Sequence, residues 1–236
     1  MVPLRASFFS RPTDRVARDL LGRVLESTVN GIRCRARIVE TEAYVGEHDP
    51  ACHAAAGRTG RTEVLYGAPG RAYVYFVYGM HWCVNAVTRA EGLPSAVLIR
   101  AVEPLEGLGA MWARRAKARR LHDLTSGPGR VCQALGITGP AHHGRSLQRS
   151  SVRILEGQPF ARGDIVTTSR IGVKEAADWP LRFLVRGNPF VSARAQTARF
   201  LALPVSSARR GSSLSTLTNK RKTGRGLQPR PVSPTG

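Results

Sequence analysis

The chain has 236 residues, with 36 Lys and Arg against 16 Asp and Glu, a formal net charge of +20 and an isoelectric point near 11.4. Its hydrophobic content of 42% allows one large core and excludes a disordered chain. No apolar run approaches the roughly 18–20 residues that cross a bilayer, and Met1-Val2-Pro3-Leu4-Arg5 leads into no apolar h-region, so a cytoplasmic protein is expected rather than a secreted or membrane-integral one.

In chain order, Thr13 to Leu21 has the marks of a short helix: a capping threonine, Val16, Leu20 and Leu21 at helical spacing, and Gly22 to stop it. Val24 to Val29 and Arg33 to Val45 follow as strands around an Asn30-Gly31 hairpin turn. Arg71 to Tyr78 and His81 to Thr88 form a second hairpin through Gly79, and Ala96 to Val102 a fifth strand. Leu105 to Arg120 has helical composition, and Gly127 to Leu135 a second helical pattern ended by Gly136. Strands return near 152–155, 164–169 and 181–185. Hairpin-like strands, few helices and no βαβ rhythm predict an α+β fold in one domain over residues 1–203. From Ser206 on, the chain is rich in Ser, Thr, Gly and Pro, has no acid, and carries seven cations. Residues 204–236 therefore read as a disordered basic tail.

Such an excess of positive charge favours a polyanionic partner, nucleic acid before an anionic membrane. Arginine supplies 32 of the cations, and the only lysines are Lys117, Lys174, Lys220 and Lys222. A GC-rich genome would trade Lys for Arg, but it would not explain the shortage of acids. Cys34, Cys52, Cys83 and Cys132 form no CxxC pair and no zinc-finger spacing. Free thiols in a reducing compartment are expected.

All five tyrosines fall between positions 44 and 78. They suit a base-stacking surface or, equally, strands that bury aromatics; for Tyr73 the core is the better expectation. In strict alternation Glu40, Glu42 and Tyr44 share one strand face. Two carboxylates so placed can split their pKa values and supply a general base, or lie on the surface paired with arginines, the simpler expectation. His48, Asp49 and His53 match no strong metal pattern, the zinc deaminase signature is absent, and His142-His143 reads as a solvated loop pair. Ser126-Gly127-Pro128-Gly129 opens a helix whose N–H groups can hold a phosphate or simply start the helix.

Val39-Glu40-Thr41-Glu42-Ala43-Tyr44, His53, and Tyr73-Val74-Tyr75-Phe76-Val77-Tyr78-Gly79-Met80-His81-Trp82-Cys83-Val84-Asn85 resemble the alkyladenine (3-methyladenine, methylpurine) DNA glycosylases. Ordered blocks continue through Val97 to Gly107, Ser126 to Gly129, Ala134 to Ile137, Arg170 to Val173 and Leu181 to Ser192, so the resemblance covers roughly residues 5–195. It implies one compact domain on a curved, mostly antiparallel sheet with flanking helices and a protruding hairpin. It also implies a monomer that binds double-stranded DNA, flips out damaged purines (3-methyladenine, hypoxanthine, ethenoadenine) and cleaves the N-glycosidic bond, with no cofactor and no metal.

Residue by residue, the resemblance makes Glu42 the base that activates water and places Arg100 and the Ile171 carbonyl around that water. Tyr44, His53 and Tyr75 become the walls around the flipped base, and Asn85 the residue that clashes with the guanine amino group. Tyr78, with Met80 and His81 beside it, becomes the tip that enters the duplex. Base flipping by glycosylases is a general property of such enzymes. In ideal alternation Tyr75 and Tyr78 point to opposite faces, so that one lines a pocket and the other projects. The tyrosine-bearing segment has no lysine, which predicts hydrolysis without strand nicking. The rivals are a non-catalytic module that stacks bases on these tyrosines and a hydrolase of free nucleosides.

Overall fold

A computed structural model describes residues 1–192; the tail expected over 204–236, and the end of the domain expected before it, lie outside the described residues. Helix α1 (Ala6–Phe9) is followed by α2 (Thr13–Asp19), which has Asp14 in its first turn and Arg18 in its last, both favourable to the helix dipole. Strands β1 (Val24–Val29) and β2 (Ile32–Tyr44) flank Asn30 and Gly31, both at positive φ (51° and 74°), the geometry a two-residue hairpin demands. Strands β3 (Ala72–Val77) and β4 (His81–Val87) make the second hairpin, and β5 (Ala96–Glu106) returns along β2. Then come α3 (Leu108–Arg114), α4 (Pro128–Leu135), α5 (Gly139–His142), β6 (Val152–Leu155), β7 (Ile165–Thr168) and β8 (Arg182–Val185).

Among the described residues eight strands form one sheet, with β3-β4-β5-β2-β1-β6 along one path and β8 joining β2 to β7. Every pairing is antiparallel. The long β2 is the hinge of this arrangement. Its first half pairs with β1, while Glu40, Thr41 and Glu42 pair with Leu184, Phe183 and Arg182 of β8. Register shifts against β5 on both sides of Glu40 mark bulges that bend the strand between the two halves. The core fills between the sheet and α2 and α4: Val16 and Ala17 of α2, and Val131, Cys132, Ala134 and Leu135 of α4, pack with Ile38, Val39, Ile99 and Val102. A second apolar cluster of Cys52, Leu65, Tyr66, Tyr73, Val87 and Ala96 lies under the loop after β2.

The α+β architecture is as expected, but one element is not. The helix anticipated over 105–120 begins only at Leu108. Leu105 and Glu106 extend β5, and Gly107, at φ +83°, turns the chain out of the strand; a Cβ there would come 2.6 Å from the Arg33 carbonyl oxygen. The helix ends at Arg114, where a run of cations raises the local charge density. Helices α1 and α5 were not anticipated. His142, expected in solvent, is buried on α5 with its Nδ1 3.0 Å from the Thr138 carbonyl, and the His143 Nδ1 lies 2.9 Å from the Val74 carbonyl. No helix of the described residues is long and apolar enough to cross a membrane.

Candidate active site

A cavity of about 540 Å³ opens where β2 to β5 meet the loop between β7 and β8. Alternation along β3 turns Tyr73, Tyr75 and Val77 into it. Tyr44 enters from the end of β2, and His53 from a 3-10 turn over His53–Ala56. Cys52 and His53 both line this wall. A hydrogen bond of 2.8 Å joins the His53 Nδ1 to the Tyr73 hydroxyl, and the imidazole stands edge-on to Tyr75 with centroids 4.6 Å apart. Burial, and then the nearby Arg61, push the His53 pKa down, which favours the neutral ring. Asn85, paired with Tyr73 across the hairpin, donates from Nδ2 to the Tyr73 carbonyl at 2.9 Å. Burial raises the Cys83 thiol to about 11, which leaves it a neutral wall group.

Glu42 and Glu40 are both fully buried, against the expectation of surface carboxylates. Arg100 bridges them, with Nε 3.2 Å from Glu40 and Nη1 3.4 Å from Glu42. Their remaining partners differ. Glu40 accepts from Arg182 Nε at 2.7 Å, the Ser192 N–H at 2.8 Å and the Ser192 hydroxyl at 2.9 Å. Glu42 accepts the Ile171 N–H at 2.8 Å and the Tyr44 hydroxyl at 2.9 Å. Tyr44, Arg100 and Ile171 line the cavity, so Glu42 sits directly behind the wall they form. Desolvation raises the Glu42 pKa above the ordinary 4.5, opposed by Arg100, the Ile171 N–H and Tyr44, and reinforced by Glu40. The contact from Ile171 to the carboxylate is its N–H; the resemblance had drawn attention to its carbonyl.

Two further residues assemble this wall. The side chains of Arg170 and Asp49 are both inaccessible to solvent. Arg170 holds both oxygens of Asp49, at 2.6 and 2.8 Å, donates to the Ala43 carbonyl at 3.1 Å, and lies 4.8 Å from the centre of the Tyr44 ring. One guanidinium thus ties the loop after β2, the end of β2 and the ring of Tyr44 together, and presents the next N–H to Glu42. No local pattern marks this pair: Asp49 fits no strong metal motif, and Arg170 lies 121 positions further along the chain. Lys174 also lines the cavity, so the lysine-free tyrosine segment does not leave the cavity without an amine. The described residues contain no cluster of three or more His, Cys, Asp or Glu able to hold a metal.

At the rim, Tyr78 and Met80 are 81% and 68% exposed. Tyr78 and Gly79 occupy the central positions of a tight turn at φ +53° and +65°, closed by the Met80 N–H on the Val77 carbonyl at 3.2 Å. The turn ends the alternation at Val77, so Tyr78 does not face away from Tyr75; it stands at the mouth of the same cavity. Behind the tip, Phe76 and Trp82 pack at 4.6 Å. Glycines make room for the base of the hairpin: a Cβ on Gly139 would come 2.3 Å from the Trp82 ring, and one on Gly129 2.9 Å from the His81 Cβ. His81 therefore belongs as much to the packing against α4 as to the tip. No side chain caps α4, although Pro128 at its start lines the cavity.

Residues 7–189 match the family described as methylpurine-DNA glycosylase (MPG). A protein of Methanocella arvoryzae named "Putative 3-methyladenine DNA glycosylase" is 48% identical over 198 residues, 83% of this chain and 98% of the relative. Proteins of the same name from Myxococcus xanthus and Salinibacter ruber are 48% and 46% identical, over 80% and 81% of this chain and 93% and 97% of their own lengths. Both likenesses span the strands that carry Glu42, the aromatic walls and the hairpin, and on that breadth of match the chain belongs to the methylpurine-DNA glycosylase family.

Proposed function

We propose that this protein is a monofunctional glycosylase of base excision repair. It flips alkylated or deaminated purines such as 3-methyladenine, hypoxanthine and ethenoadenine out of duplex DNA and hydrolyses the N-glycosidic bond, leaving an abasic site. The observation that carries this reading is the position of Glu42: a wholly buried carboxylate directly behind the wall of an aromatic cavity, held at both oxygens by residues that line it.

A flipped purine stacks among Tyr44, His53 and Tyr75, and the positive charge of an alkylated ring strengthens contact with tyrosine faces. Asn85, fixed by its bond to the Tyr73 carbonyl, disfavours a base with an amino group where guanine has one. Tyr78 fills the gap left in the duplex. As the purine departs, positive charge develops on the sugar. Ionised Glu42 takes a proton from water and faces that charge, and Arg100 and Ile171 keep the carboxylate oriented. Water, not an amine, breaks the glycosidic bond in this scheme.

Duplexes carrying single lesions and incubated with wild-type protein and with Glu42→Gln would test it, with free base as the readout. Base release from wild type that disappears in the variant, while duplex binding persists, is the expected result. Binding without base release from any lesion in wild-type protein would favour the non-catalytic module. Equal release from free nucleosides by wild type and Tyr78→Ala, with no preference for duplex, would favour the nucleoside hydrolase.

A further inference from the structure

Base release would leave a deoxyribose whose C1′ exchanges between a closed hemiacetal and an open aldehyde. On the glycosylase reading, on which this inference rests, that carbon is produced at the cavity. Among the described residues one lysine lines the cavity, Lys174; the other, Lys117, follows α3 and is not part of the wall. Lys174 follows closely on a firmly held piece of chain. Four residues before it, Arg170 makes the buried bidentate pair with Asp49, and three residues before it the Ile171 N–H binds Glu42. Three residues of chain span at most about 11 Å, so the lysine is tethered close to the carboxylate. No ion pair among the described residues occupies its exposed ammonium.

We propose that Lys174 captures the abasic product as a reversible imine. The amine first gives a proton to solvent. Its lone pair then adds to C1′ of the open aldehyde as the C=O π pair moves to oxygen; that oxygen takes one proton from the nitrogen and one back from solvent, the C1′–O bond breaks and water leaves, and a protonated C1′=Nζ bond forms. Addition of water reverses each step and returns amine and aldehyde. The balance needs no oxidant and no cofactor. Strand scission requires a further step, loss of a C2′ proton with departure of the 3′ phosphate, and capture does not depend on it. The consequence is a repair protein that keeps hold of a reactive aldehyde after the base has gone.

Borohydride trapping tests this on the full chain, using a duplex that already contains an abasic site. Hydride reduces the imine to a secondary amine, a crosslink that survives denaturing electrophoresis. Wild type is expected to crosslink, with the adduct mapped to Lys174. Lys174→Ala and Lys174→Arg are expected to lose about tenfold or more of it, because neither offers an attacking amine. The arginine variant keeps the positive charge, so its loss separates capture from simple attraction of DNA.

No crosslink in wild type, undiminished crosslinking in both variants, or an adduct mapped to another amine would overturn the proposal. Base release from lesion duplexes is measured in parallel. Failed trapping with intact base release removes capture alone, whereas trapping without base release from any lesion removes the glycosylase reading and, with it, the product to be captured. Nicks that vanish in both variants would support capture, since elimination passes through the same imine, and would overturn the monofunctional reading instead.

Discussion

Glu42 and Tyr78 stand at the floor and the rim of one cavity and are opposite in kind. The first is a carboxylate with no solvent exposure; the second is a phenol ring 81% exposed on a residue with φ +53°. Burial without partners would cost Glu42 several kcal/mol, but the protein itself supplies Arg100, the Ile171 N–H and the Tyr44 hydroxyl. Tyr78 has no such support. A bulky residue at positive φ is strained, and its ring is left to solvent. The floor is therefore complete in the free protein, whereas the rim is built for something that arrives. On the proposed function, chemistry is preorganised at one end and recognition is left open at the other, which suits a site that receives a large, flexible substrate and then acts on one bond.

The largest effect should come from the floor. Glu42→Gln keeps an acceptor for Ile171 but removes the proposed base, and single-turnover base release should fall by about 10²–10⁴-fold with duplex affinity retained. Turnover at the wild-type rate would break the contrast, because the floor would then be only structural. Next comes the support of the floor. Arg170→Met leaves Asp49 buried without its cation, and unfolding in urea should show a loss of about 3–5 kcal/mol. A variant that unfolds like wild type would mean that the pair is dispensable and the wall is held by other contacts.

The pH profile sharpens the same point. In the proposed reaction water activation needs ionised Glu42, and burial raises its pKa above 4.5. Base release should therefore be lost as pH falls through a value higher than that of an ordinary glutamate. Arg100 lowers this pKa, so Arg100→Met should move the acid limb to still higher pH. A limb that stays in place would show that another group controls it.

Much of the floor and rim was legible because the residues are close in sequence. Alternation places Tyr73 and Tyr75 together, and Asn30-Gly31 fixes the register of β2. What was not legible joins distant segments. Arg170 meets Asp49 across 121 positions, and Arg182 meets Glu40 across 142. These meetings depend on β8 lying beside β2, which no local pattern encodes. The same pairing explains why two glutamates that looked like surface residues are buried: arginines from far along the chain neutralise them inside. Lys174 reached the cavity by the same route. The helix expected to start at 105 failed for a local reason, the left-handed backbone of Gly107, which composition does not show.

The smallest effect belongs to the rim and has the opposite sign. If Tyr78 is held at positive φ only to present its ring, a residue that accepts this backbone should stabilise the free protein. Asparagine does so more readily than tyrosine and avoids the extra unfolded-state entropy of glycine. The left-handed penalty is about 1–2 kcal/mol for a residue with a Cβ, and asparagine relieves part of it. Tyr78→Asn should therefore unfold at slightly higher urea with an unchanged slope, a gain of about 1 kcal/mol. The same variant should release base from duplex more slowly, since stacking against an aromatic ring is worth about 1–3 kcal/mol per base. Greater stability with poorer duplex activity would show that the rim is strained for the sake of its substrate. A variant less stable than wild type would show that the exposed ring is held by contacts within the free protein, and the contrast between a finished floor and an unfinished rim would fail.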